Sequence, residues 1–211
     1  MSRIVRISLL FVFTFGTLSL FGDTTCTTPP GASGADGPVS AQANFTAGDG
    51  FITVTLSNTQ ANPRSEGQLL NGLAFTVSEG ETAGTLGSNS ANIRRVDRGG
   101  TFVDFGPAST GWALAQNVNG GLFLCVLCTD LGAVGPKHLL IGPAAGDGKY
   151  DAANGSIAGN KPHNPFTAGT ATFLINAPGV TAGSTITSAT FFFGTEQGSV
   201  AGSCSGGVIP I

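Results

Sequence analysis

The sequence predicts an all-β fold: a single antiparallel β-sandwich domain of about nine strands, with little or no helix. Three observations carry that prediction. Short runs alternate apolar and hydroxyl residues, as in 51–56, where Ile52, Val54 and Leu56 are separated by Thr53 and Thr55. Gly, Pro or Asn punctuates nearly every gap between such runs, and 33 of the 211 residues are glycine, so turn chemistry recurs throughout. No segment of about twelve residues repeats apolar side chains at spacings of three and four with the Leu, Glu and Lys that favour helix.

Taken in order, the chain opens on an address. MSRIVR carries two arginines and no acid, and residues 7–21, ISLLFVFTFGTLSLF, form an apolar run shorter than the roughly 20 residues of a membrane span. A signal peptide over 1–22 is expected, cut between Gly22 and Asp23, with Ser19 as the alternative cleavage position and an uncleaved anchor as the competing reading. A lipid-attachment site at Cys26 does not fit, because Asp23-Thr24-Thr25 precede it. Residues 23–40, DTTCTTPPGASGADGPVS, read as a flexible Pro/Gly/Ser/Thr-rich leader, and the sandwich domain is expected over 41–211. Its strands are expected at 51–56, 69–77, 93–96, 101–105, 112–115, 122–126, 138–141, 170–175 and 185–193. In the last of these Ala189, Phe191 and Phe193 share one face, matched by Ala171, Phe173 and Ile175. The turn-rich 178–184 between them predicts an antiparallel pair. Phe192 then lies on the outer face.

Only 10% of residues are charged, against roughly 25% in an average soluble domain. Without residues 1–22 the chain loses Arg3 and Arg6, leaving 7 basic against 12 acidic residues. Such a mildly acidic surface lacks the basic footprint that phosphate neutralisation requires, so nucleic acid is excluded as a partner. With the signal removed no stable membrane span is expected either. Arg94, Arg95 and Arg98 in IRRVDRGG are the one basic cluster, and with Asp97 among them they read as a solvated edge strand.

Export gives four cysteines meaning, because oxidising compartments let even numbers pair. Cys26 and Cys204 stand near the two ends, while Cys125 and Cys128 form CVLC. Fully extended, residues 125 and 128 would be about 10 Å apart, too far for a bridge, so a local disulfide requires a turn. Spacing favours Cys125–Cys128 and Cys26–Cys204, with the two crossed connectivities left open. A thioredoxin-like role needs a helix N-terminus after the motif, whereas TDLGAVGPKH has no helical period.

KPHNPF, residues 161–166, places one of the two histidines between two prolines. If that bend meets PKHLLIG, His138 and His163 with Asp147 or Asp151 form the one conceivable imidazole and carboxylate set for a transition metal. The competing reading is that each ring fastens a loop by a hydrogen bond to backbone. Asp147, Asp151 and Asn154 in GDGKYDAANGS raise calcium, but Lys149 stands where a second oxygen should be. The expectation is therefore no metal, no cofactor and no catalytic residue, since G-x-S-x-G, H-E-x-x-H and phosphate-cradling loops are missing. Trp112 and Tyr150, one of each in the chain, leave little for a sugar-stacking platform.

Residues 123–198, with HLLIGPAAG, KPHNPF, INAPGVT and FFFGTEQG, resemble bacterial exported surface proteins of the PEP-CTERM, exosortase-sorted type. That resemblance covers the C-terminal third to half of the chain. It implies export, in a group mostly of unknown biochemical activity; together with the missing catalytic constellation it leads to the expectation of a non-enzymatic structural or interaction role at the cell surface or in the extracellular matrix, with an unknown extracellular or envelope partner. The sorting tail is lacking: after Gly207 the sequence reads VIPI, without Pro-Glu-Pro, apolar span or arginine cluster, so sorting itself is not carried over. The alternative function is a secreted hydrolase or carbohydrate-binding module with a metal-assisted site near His138 and His163. Either way the expected location is secreted or extracytoplasmic.

Overall fold

Alternation becomes strand almost everywhere that turn residues bracket it. The computed structural model describes residues 22–128, 138–153, 155–159, 163–195 and 198–207. In chain order the strands are β1 (Gly22–Thr27), the small hairpin β2 (Ser33–Gly34) and β3 (Gly37–Pro38), β4 (Ala41–Gly48) and β5 (Phe51–Asn58). After a single 3₁₀ turn (Glu66–Gln68) come β6 (Leu70–Val77), β7 (Thr85–Val96), β8 (Phe102–Ala108), β9 (Ala113–Val118) and β10 (Gly121–Cys125). The chain continues with β11 (Leu140–Ile141), β12 (Phe166–Asn176), β13 (Ile186–Phe193), β14 (Gly198–Ala201) and β15 (Ser203–Gly207).

The fold is all-β, as expected, but it is not a simple nine-stranded antiparallel sandwich. Thirteen strands share one sheet in the order β14-β13-β6-β11-β12-β5-β4-β1-β15, with β10 and β9 continuing from β6, and β7 and β8 from β12. The sheet is mixed, because β11 runs parallel to β12. Several of the additional strands are polar or built on small residues, and so lacked an apolar period. β1 (GDTTCT) and β15 (SCSGG) are examples. They are held by ladder bonds to neighbours far away in sequence. The expected leader is thereby corrected: its first residues are β1, paired to both β4 and β15 with Cys26 wholly buried.

The sheet folds so that its two halves face each other across one core. Phe45 of β4 meets Phe75 of β6 with ring centroids 5.1 Å apart, although three strands separate them along the sheet. Ile52, Val54 and Leu56 of β5 and Phe173 and Ile175 of β12 point into the same cluster as Leu73, Leu122, Leu124, Phe191 and Phe193. Here the expected pairing of the last two long strands fails. β12 pairs β5, β7 and β11, whereas β13 pairs β6 and β14. The loop between them crosses from one half to the other, tied by Gly50 N–H to the Val180 carbonyl at 2.8 Å. Phe192 does lie outside, against Phe123 at 4.9 Å.

Candidate functional site

The two histidine bends do meet. β11 and β12 lie side by side, so the residue two before β11 and the corner leading into β12 share one end of the sheet. His138 and His163 are both buried. The His138 ring Nδ1 hydrogen-bonds the Pro165 carbonyl, while the His138 carbonyl accepts from Trp112 Nε1–H at 2.9 Å. Burial pushes the His138 imidazole below its ordinary value; backbone hydrogen bonds to Pro165 and His163 oppose that shift, and the charge of His163 adds to it. Lys161 and Pro162 lie outside the described residues. Asn164, which precedes a cis bond to Pro165, does more than bias the bend. Its amide donates to the Val96 carbonyl at 2.8 Å and to the Ala158 carbonyl at 3.2 Å, and its oxygen accepts from Val96 N–H at 3.2 Å. It thus mimics a peptide group at the end of β7.

The carboxylates proposed beside those imidazoles are spent elsewhere. Asp151 Oδ2 accepts from Asn62 Nδ2 at 2.7 Å, and the Asp151 N–H donates back to Asn62 Oδ1 at 3.0 Å. Asp147 folds onto the Lys149 N–H within its own turn. Asn154 lies outside the described residues. Among the described residues no three His, Cys, Asp or Glu side chains converge as a metal cluster would require. The structure therefore brings the two histidines together, and Asp147 and Asp151 do not join them in a group of three.

A second constellation was not foreseen. Arg94 of β7 forks onto Asp104 of β8, Nε to Oδ1 at 2.7 Å and Nη2 to Oδ2 at 2.8 Å, and its Nη1 donates to the Tyr150 hydroxyl at 3.1 Å. Its guanidinium also lies 3.7 Å over the Phe102 ring. Tyr150 is buried and donates to the Gly142 carbonyl at 2.8 Å. The Asp104 bond raises the guanidinium and lowers the carboxylate in turn, while burial raises the Tyr150 hydroxyl against the opposing effect of Arg94. Through these bonds the set fastens the β7–β8 hairpin to the 142–150 loop. Arg94 is accordingly not on a solvated edge, since β7 has β12 on one side and β8 on the other. The sequence signal was the spacing of Arg94 and Asp104 about a DRGG turn. Trp112 and Tyr150 are both interior, so neither offers a stacking platform.

Both favoured disulfides are present. Cys26 and Cys204 stand opposite each other in the β1–β15 register, and Cys125 and Cys128, with Cα atoms 5.6 Å apart, close the required turn. Residues 1–21 of the expected signal peptide lie outside the described residues. Gly22 and Asp23, the expected cleavage pair, both sit in β1, where Gly22 N–H donates to the Ala182 carbonyl at 2.6 Å. No helix among the described residues is long and apolar enough to cross a membrane. Compared with protein-family models, with curated proteins and with solved structures, the chain finds no match.

Proposed function

We propose that this chain is an exported, non-enzymatic, sandwich-like domain that serves a structural or interaction role at a bacterial cell surface or in its extracellular matrix. One observation carries the reading: the candidate imidazole, carboxylate and guanidinium groups near the sheet's histidine corner and the β7–β8 hairpin are bonded into the scaffold. His138 holds the Pro165 carbonyl, Asp151 holds Asn62, and Arg94, Asp104 and Tyr150 hold one another. All four cysteines are paired, which accords with an oxidising compartment. The charge-poor composition and the resemblance of residues 123–198 to exported surface proteins add support.

Expression of the full chain in a bacterial host tests the first half. Mature protein is expected outside the inner membrane, beginning at or just before Asp23 and unreactive to thiol reagents before reduction. Recovery of intact Met1 from membrane fractions would defeat the reading. A screen of the purified domain against ester, peptide and glycoside substrates tests the second half, and turnover lost in His138→Gln would refute it.

A further inference from the structure

Val103 and Phe105 are the exposed large hydrophobic side chains among the described residues, at 51% and 56%. Both stand on β8, two positions apart, so they share one face of the strand. Among the described strands β8 pairs with β7 alone, which leaves one rail of its backbone groups open. Natural proteins blunt such edges with charge, proline or a bulge. On β8 the blunting stands only at the C-terminal end, where the register slips and Gly106, at φ 86°, precedes Pro107. Residues 101–105 keep an open edge, apolar on the face turned away from Tyr150.

An open rail recruits an extended chain, and the phase of this one makes it complementary to itself. Asp97 N–H donates to the Thr101 carbonyl at 2.9 Å, and Val103 stands opposite Arg95. Bonded and non-bonded pairs alternate along an antiparallel ladder, so Val103 turns its N–H and C=O to β7 while Phe102 and Asp104 turn theirs outward. A two-fold axis at Val103 then sets Phe102 against Asp104 of a second copy, and Asp104 against its Phe102, so that each of these outward groups finds a ladder bond. Val103 meets its own counterpart, and Phe105 stands opposite Thr101. Charge agrees with this register. Thr101 Oγ is bonded to Asp97, and the Arg95 guanidinium lies 5.5 Å over the Phe105 ring. The row from Phe105 of one copy to Thr101 of the other therefore brings Arg95 toward the opposing Asp97, twice by symmetry. Asp104 keeps its Arg94 partner on the other face, so no bare carboxylate enters the seam.

We infer that this chain forms a two-fold dimer by antiparallel pairing of β8 with β8 of a second copy, centred on Val103. The contact uses the same edge of both chains and so stops at two. It is a property of the folded domain and does not depend on export or on a role at the cell surface. Sedimentation of the purified mature chain, with its disulfides intact, should show a mass that rises with concentration from one chain to two and levels there. Val103→Lys should weaken the dimer at least tenfold while leaving the melting of the dilute monomer unchanged, because the side chain it replaces is exposed. Cysteine reports the register. Val103→Cys puts two thiols across a non-bonded pair with Cα atoms about 4.5 Å apart, within reach of a disulfide, so air oxidation should give a covalent dimer that reduction dissolves. Phe105→Cys, opposite Thr101, should cross-link at least tenfold less. Should the added thiol disturb the native bridges, Val103→Lys carries the test. A mass of one chain up to about 1 mM, beyond which a pairing of this kind has no meaningful affinity, would overturn the assignment and leave the edge to a foreign strand. Growth past two chains, a dimer indifferent to Val103→Lys, or equal cross-linking by Phe105→Cys would overturn it as well.

Discussion

Asn164 satisfies both backbone groups of Val96 and a third at Ala158, so Asn164→Ala strands partly buried polar groups at three places. A loss of about 2 to 3 kcal/mol is expected in a denaturant melt, with Asn164→Asp only partly better because it keeps the acceptor and loses both donors. His138 gives a pH prediction instead. Its imidazole is pushed below the ordinary 6.5, chiefly by burial. The unfolded chain therefore binds a proton that the folded chain resists, and the stability due to a neutral His138 is complete above about 6.5 and falls away as pH drops below it. Melts of native protein and of His138→Gln should converge in slope at neutral pH and part below it, the native protein losing stability more steeply. Equal slopes down to pH 5 would show that the ring is not desolvated. From the sequence, the prolines around His163 marked a rigid corner. That the asparagine between them would grip β7 was not legible, because its partner lies 68 residues away.

At the scale of elements, strands with an apolar period were legible and long-range pairings were not. Asn119 and Gly120, with φ of 50° and 77°, close the β9–β10 hairpin by the turn that Asn-Gly favours. Gly120→Ala should cost about 1 kcal/mol through the left-handed geometry alone, measurable as a lowered melting midpoint with unchanged cooperativity. The β7–β8 hairpin misled because FVDFGPA contains both Gly and Pro, and three arginines in IRRVDRGG resemble an edge. Its actual edge is β8, where Val103 and Phe105 are about half exposed and Arg95 leans over the Phe105 ring at 5.5 Å. Arg94→Lys keeps the charge but loses the fork. Because Arg94 and Asp104 are 15% and 36% exposed, solvent screening holds the expected loss to about 1 to 2 kcal/mol.

For the whole molecule, the disulfide across β1 and β15 closes a loop of 178 residues. Loop-closure entropy makes it worth about 4 to 5 kcal/mol, far more than the three-residue spacing of Cys125 and Cys128 can yield. The paired variant Cys26→Ala with Cys204→Ala should therefore melt well below Cys125→Ala with Cys128→Ala. Cysteine spacing made both bridges readable, yet the sheet around them was not, because its polar end strands carry no apolar period. β14 and β15 lead to one further consequence. They form a nearly continuous run that leaves β13 at Gly202, whose N–H donates to the Ala189 carbonyl at 2.8 Å, and then completes the far side of β1. The earliest strand among the described residues thus waits for the latest. A chain made from its N-terminal side carries β1 with one rail unpaired until residues 203–207 are free, so during vectorial synthesis β1 stays half-paired long after β4 and β5 have formed.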